Sequence, residues 1–179
     1  MPESVLLASC GEDIKVWDCP NLALQSQMSP HGPGQGVTSL CWLNNSSILA
    51  SAAESGHKIV LSRFEPAVVT LVEFAEQKGQ TCVATNLSGS CILSGGKDAA
   101  VNIWDCKSNK LQKSFNDHKD AVTCVSYNEN DSYVASGSLR GEILLHNIIT
   151  NQSSAPLSYP KCQVRYKPWK LQAFYTYCF

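Results

Sequence analysis

The sequence predicts an all-β chain of three to four antiparallel, four-stranded blades, part of a β-propeller whose ring is not closed. A recurring motif is the first reason. Gly11-Glu12-Asp13-Ile14-Lys15-Val16-Trp17-Asp18 returns as the run from Gly96 to Trp104-Asp105, and in degraded form from Gly56 to Ser62 and from Gly141 to Asn147. Taking Trp17, Ser62, Trp104 and His146 as equivalent, the intervals are 45, 42 and 42 residues. A period in the low forties that ends on an aromatic and an acid is the spacing of propeller blades, each about 40–45 residues of four strands. Secondly, short β-branched and aromatic runs alternate with polar turns every 8–12 residues or so, as antiparallel strands do. Thirdly, no stretch sustains a helical period.

The elements follow in order. Val5–Ser9 reads as a second strand, so the first blade is partial and its inner partner is expected from elsewhere in a longer chain. Innermost strands are expected at Val37–Trp42, Thr81–Asn86 and Val122–Tyr127. Second strands fall at Ile48–Ala52, Cys91–Ser94 and Tyr133–Ser136, and third strands at Lys58–Arg63, Ala100–Asp105 and Glu142–His146. The more mixed polarity of Val68–Phe74 and Lys110–Phe115 suits outer edges. Ala50-Ser51-Ala52, Ser94-Gly95-Gly96 and Ser136-Gly137-Ser138 are expected where second strands turn. There, glycine takes positive φ cheaply and small side chains let neighbouring blades approach. Residues 1–156 are expected to form this partial propeller. Residues 157–179, with prolines, scattered lysines and an aromatic end, match neither a blade nor a terminal helix. They are expected to be an irregular, divergent tail, from an alternative reading or splice end beginning near Tyr159 to Lys161. The whole would be a fragment or shortened product, because an unclosed fan leaves an apolar blade face bare.

The period and the Trp-Asp endings resemble the WD-repeat family. In that family the third-strand Trp bonds a Ser or Thr of the second strand, which bonds a His before the first strand, and a turn Asp bonds the same His. The residues that match are Trp17, Ser94, Asp98, Trp104, His118 and Ser136, and each blade carries only part of the set. The last unit has Asp117-His118 and Ser136, but His146 stands in the Trp position and Leu139-Arg140 in the Asp region. The third has Ser94, Asp98 and Trp104 without a preceding His, and the second has His31 but Ser62 for Trp. Such a buried network is worthwhile only when every member is satisfied.

Composition argues against several function classes. The 14 basic and 15 acidic residues give a formal net charge of −1, so no bulk field favours nucleic acid or a membrane. Lys161, Arg165, Lys167 and Lys170 read as solubilising charge on a loose end. No apolar run is long enough to span a bilayer, and Met1-Pro2-Glu3-Ser4 lacks the basic start of a signal peptide. The nine cysteines include no Cys-x-x-Cys pair and no metal-ligand spacing, so no metal or cofactor is expected. Cys41, Cys82 and Cys124 alternate with apolar residues and read as small buried hydrophobes in a reducing cytoplasm.

Catalytic chemistry finds little support. His118 with Asp117, Asp120 and Ser136 has the inventory of a triad, but triads are recognised by geometry, and the propeller reading makes these atoms a structural network. Gly95-Gly96 lacks a phosphate-loop lysine, and Gly32-Pro33-Gly34-Gln35-Gly36 precedes a strand. His31, His57 and His146 read as turn or network residues. The chain is expected not to be an enzyme.

A more specific resemblance rests on Ala8–Asp18, Val101–Asp105, Asp117–Val125 and Ala135–His146, including the irregular His146. Over roughly residues 3 to 156 the chain is similar to the amino-terminal propeller of the WD-repeat adaptors that recruit the γ-tubulin ring complex. This resemblance implies a non-enzymatic scaffold and targeting module in microtubule nucleation and mitotic spindle assembly, cytoplasmic and at centrosomes and spindle poles. Its partners would be centrosomal or spindle proteins, with γ-tubulin held by a separate helical region that nothing here resembles. Recognition would use loops at one end of the scaffold, where the exposed charges Lys97, Asp120 and Arg140 are the candidate contact rim. Alternatives are a shortened isoform, inert or competing with a longer protein, and a ubiquitin-ligase substrate receptor. The latter expects Trp-Asp-x-Arg, whereas Trp17-Asp18 is followed by Cys19-Pro20 and Trp104-Asp105 by Cys106-Lys107.

Overall fold

The computed structural model describes residues 5–44, 46–53, 55–56, 58–75 and 79–157. The described residues form fifteen strands in four antiparallel sheets and no helix. Blade I holds three strands in order, β1 (Leu6–Cys10), β2 (Ile14–Asp18) and β3 (Ala23–Met28). Blade II holds β4 (Val37–Trp42), β5 (Ile48–Ala53), β6 (Lys58–Arg63) and β7 (Val69–Ala75). Blade III holds β8 (Gln80–Thr85), β9 (Cys91–Gly96), β10 (Val101–Asp105) and β11 (Lys110–Phe115). Blade IV holds β12 (Val122–Tyr127), β13 (Tyr133–Ser138), β14 (Ile143–Asn147) and the two-residue β15 (Gln152–Ser153). The sheets do not close into a ring. His57 and the segment from Ser158 onward lie outside the described residues.

Consecutive blades stack face to face, and each junction has its own apolar core. Ile14, Val16, Met28, Val37, Leu40, Leu49 and Phe64 fill the space between blades I and II. Leu43, Ala50, Ala52, Ile59, Leu61, Phe74, Val83, Ile92 and Trp104 fill that between II and III. Cys82, Leu93, Val101, Ile103, Phe115, Val122 and Val134 fill the third junction. Strands covered on both faces therefore read as continuous apolar runs: Ile59, Val60, Leu61 and Ser62 are all buried, as expected where no face meets water.

Bulges recur at fixed places in the repeat. Between inner and second strands the register shifts at Val37/Ser39, Gln80/Cys82 and Val122/Cys124, leaving Thr38, Thr81 and Thr123 unpaired. Between third and outer strands it shifts immediately before Trp17, Ser62 and Trp104. A bulge bends the strand and re-aims the side chain beside it, here into the junction with the next sheet.

Two expectations are corrected. The second strands run on through Gly96 and Ser138, and Gly95, Gly96 and Gly137 are not in the left-handed region. Positive φ sits later, at Ala99 (64°) and Gly141 (80°). Gly95 is small because blade IV presses on it: a Cβ there would lie 2.5 Å from Val122 Cγ1 and 2.8 Å from Cys82 Sγ. The second correction concerns Cys124, which is exposed although its repeat equivalent Cys82 is buried. The reason is tertiary, since Cys82 lies under blade IV whereas no described residue covers Cys124.

Candidate functional site

The anchor at the end of each third strand is built differently in each blade. In blade I, Trp17 Nε1 donates to Ser9 Oγ at 3.1 Å. In blade III, Trp104 Nε1 donates to Ser94 Oγ at 2.9 Å, and the indole tilts against Phe74 with ring centroids 5.5 Å apart. Ser94 is fully buried and Trp104 is 7 % exposed, so the bond satisfies the only polar atom of a large apolar side chain. Asp98 caps its own turn, accepting from the Ala100 amide at 3.2 Å. In blade II, His31 Nε2 bonds Ser51 Oγ at 2.9 Å, with Ser62 buried where the other blades place an aromatic.

Blade IV carries the longest chain of polar contacts. His118 Nε2 lies 2.7 Å from Ser136 Oγ, which lies 2.7 Å from His146 Nε2. His146 Nδ1 lies 2.7 Å from Ser153 Oγ, and Ser153 donates to Asp117 Oδ2 at 2.5 Å. The direction of the bonds follows from the carboxylate, which only accepts. Ser153 spends its proton on Asp117, so it must accept from His146 Nδ1–H. The Nε2 of neutral His146 is then an acceptor, Ser136 donates to it, and His118 Nε2–H donates to Ser136. His118, Ser136 and His146 are all buried, and the His146 ring lies against Phe115 with centroids 4.6 Å apart.

Burial and the neighbouring His118 push the His146 pKa down to about 4. Burial also lowers His118, opposed by the Glu142 and Asp117 carboxylates. Both rings are therefore neutral near pH 7, the state the donor chain requires. Glu142 Oε2 stands 3.7 Å from His118 Nδ1, beyond hydrogen-bond reach. Ser136 is 2 % exposed and lies between two imidazoles, so it is not presented as a nucleophile. Elsewhere, burial raises the Cys41 and Cys82 thiols to about 12 and Cys106 to about 11, which keeps them protonated and unreactive. Among the described residues no group of His, Cys, Asp and Glu could hold a metal ion, and no helix is long and apolar enough to cross a membrane.

Sequence reasoning named His118 and Ser136 but missed Glu142, Ser153 and the role of Asp117. A second polar atom at the anchor position was the available signal: His146, unlike Trp, demands a partner on each side of the ring. The candidate rim residues fall on one end of the blades, since the second-to-third turns and the loops entering inner strands share that end. Asp120 Oδ2 and Arg140 Nε form an ion pair at 3.7 Å in blade IV, with side chains 43 % and 62 % exposed. Lys97, also exposed, occupies the equivalent turn of blade III, with its backbone amide bonded to Gly79 O at 2.9 Å.

Comparison with known proteins agrees with this architecture. The family model WD40 (WD domain, G-beta repeat) matches residues 24–60, 70–105 and 109–147. Human "Protein NEDD1" is 46% identical over 172 residues, 96% of this chain and 26% of that protein. The mouse protein of the same name is 47% identical over 159 residues, 89% of this chain and 24% of its own length. Human "Cilia- and flagella-associated protein 52" is more distant, 25% identical over 157 residues. This chain thus spans about a quarter of the length of the curated relatives it matches. With three repeats matched and four blades stacked on buried Trp–Ser and His–Ser contacts, the chain belongs to the WD-repeat family.

Proposed function

We propose that this chain is a non-enzymatic protein-binding scaffold, the targeting module of a γ-tubulin ring complex adaptor. It would act in the cytoplasm, at centrosomes and spindle poles, in the nucleation of microtubules during mitosis. The observation that carries the reading is the 44–47% identity to Protein NEDD1 over about nine-tenths of this chain. Two features support it. The buried Trp–Ser and His–Ser contacts tie the strands of each blade together, and the rim charges Lys97, Asp120 and Arg140 are presented on one end. Recognition of centrosomal or spindle proteins by these loops needs a rigid platform, which the stacked sheets supply. Contact with γ-tubulin itself would belong to a different region of the adaptor.

The test is localisation in dividing cells. Tagged residues 1–179 should concentrate at spindle poles, and the triple variant Lys97→Ala, Asp120→Ala, Arg140→Ala should spread through the cytoplasm while keeping the same melting temperature. A uniform distribution of the unaltered, folded chain would overturn the targeting reading. Undiminished localisation of the triple variant would move the contact surface off this rim.

A further inference from the structure

The loop that carries the chain from blade I into blade II, residues 29–36, is longer than its counterpart into blade IV, residues 116–121. It opens with Ser29-Pro30-His31. Of the eight prolines in the chain, only Pro30 follows a serine or threonine. Ser29 is exposed, and no described residue bonds its hydroxyl. It stands just past β3, the outer strand of blade I, whose far edge is free. A residue before proline is driven to extended geometry, so Gln27, Met28 and Ser29 continue one extended run. The chain then turns, with Gly32 N bonding Ser29 O at 3.5 Å and with Gly32 and Gly34 at positive φ (86° and 74°). Nothing lies within 4 Å of a Cβ built on either glycine, so the loop stands clear of the sheets on that side.

We propose that Ser29 is a phosphorylation site for a proline-directed serine/threonine kinase. Such an enzyme holds its substrate extended and meets the residue after the acceptor with a surface that offers no partner for an N–H. Proline brings no N–H to that place, whereas any other residue would bury an unpaired donor. Ser29 Oγ attacks the γ-phosphorus of ATP. The Oγ–P bond forms as the bond to ADP breaks, and the hydroxyl proton passes to the catalytic aspartate of the kinase.

The surroundings suit the product, as the two histidine anchors show. In blade IV, His118 follows Asp117 directly and has Glu142 Oε2 at 3.7 Å from Nδ1. In blade II, Pro30 takes the place of Asp117 and, by strand register, Lys58 takes that of Glu142. His31 is 4 % exposed, and its Nδ1 has no partner among the described residues. Burial first, and then the Lys58 charge, lowers its pKa, against a smaller pull from Glu73. A phosphate two residues before His31 therefore meets an amine where blade IV would set carboxylates against it. It adds a charge of about −2 to the end of the blades that carries Lys97, Asp120 and Arg140. Modification of Ser29 would thus switch the charge of the recognition rim without touching its residues.

The test is phosphorylation of the folded 179-residue chain by a mitogen-activated protein kinase with radiolabelled ATP, the label located by peptide mapping. A synthetic peptide of residues 23–36 serves as the fully accessible control. The chain should take up one phosphate, on Ser29, at a rate within about tenfold of the peptide. Ser29→Ala should abolish the label, and Pro30→Ala, which keeps the hydroxyl, should slow labelling by at least about tenfold. Labelling of the peptide but not of the folded chain overturns the proposal, because Ser29 would then be closed to a kinase in the fold. Absence of label from both overturns it too. Labelling that survives Pro30→Ala at full rate overturns the assignment to a proline-directed enzyme.

Discussion

Blades III and IV place different chemistry at the same point of the repeat. Trp104 fills its junction with a large ring and asks for one hydrogen bond, which Ser94 supplies. His146 fills less space, exposes two nitrogens and is completely buried, so it needs a partner on each. Ser136 and Ser153 provide them, and Asp117 completes the chain. The difference shows that an apolar anchor can be exchanged for a polar one only where the neighbouring loop contributes a second partner. It also shows a gain: the His146–Ser153 bond ties the short outer strand β15 to the centre of the blade, which two residues of ladder pairing would do weakly.

The comparison can be broken most sharply by exchanging the anchors. Trp104→His should destabilise the fold by about 3–5 kcal/mol, since it opens a cavity between Phe74 and Ile92 and buries a nitrogen with no second acceptor. Urea denaturation would measure it, and a loss below about 1 kcal/mol would show that blade III tolerates a polar anchor as blade IV does. Acid should act on blade IV next. The folded His146 binds its proton more weakly than the ordinary value of 6.5, so the unfolded chain carries more protons between pH 6.5 and about 4. Stability should therefore be fully present above pH 6.5 and fall through that window, by up to about 3 kcal/mol from this residue. His118 and His31, also lowered by burial, act in the same direction.

His146→Leu sharpens the same point. It should cost about 2–3 kcal/mol at pH 7, because Ser136 and Ser153 each lose a buried partner, and it should flatten the acid limb of the pH–stability curve. An unchanged limb would assign the acid sensitivity to His118 and His31 instead. Ser153→Ala should cost about 1 kcal/mol, seen as faster amide exchange at residues 145–154 with little change in global melting. Smallest of all, breaking the exposed Asp120–Arg140 pair by Arg140→Ala should change stability by less than about 0.5 kcal/mol. That keeps the rim open to mutation without loss of fold.

How much of this was legible before folding varies with the physics. The blades were, because a strand period of two and a repeat of about 42 residues are properties of local sequence. Trp104 with Ser94 and His118 with Ser136 were legible for the same reason: each partner keeps nearly the same offset within the repeat, 8 or 10 residues for the Trp–Ser pairs and 18 or 20 for the His–Ser pairs. β3 was missed, although its mostly exposed residues Ala23–Met28 follow the pattern of the outer strand Lys110–Phe115. Glu142 and Ser153 were missed because their relation to the two histidines depends on how loops return to the blade, which no spacing encodes. Glycine was half legible: Gly95 is small for a close approach, but that approach comes from Val122 and not from a left-handed turn.

By itself, then, the sequence determined the all-β class, the blade repeat and the anchor positions, because these follow from periodic burial along one strand at a time. Tertiary structure decided the rest. It placed the bulges that aim the anchors, the direction of the His118–Ser136–His146–Ser153–Asp117 chain, and the opposite fates of Cys82 and Cys124. Those two cysteines stand at the same point of the same repeat; the following blade buries Cys82, whereas no described residue covers Cys124.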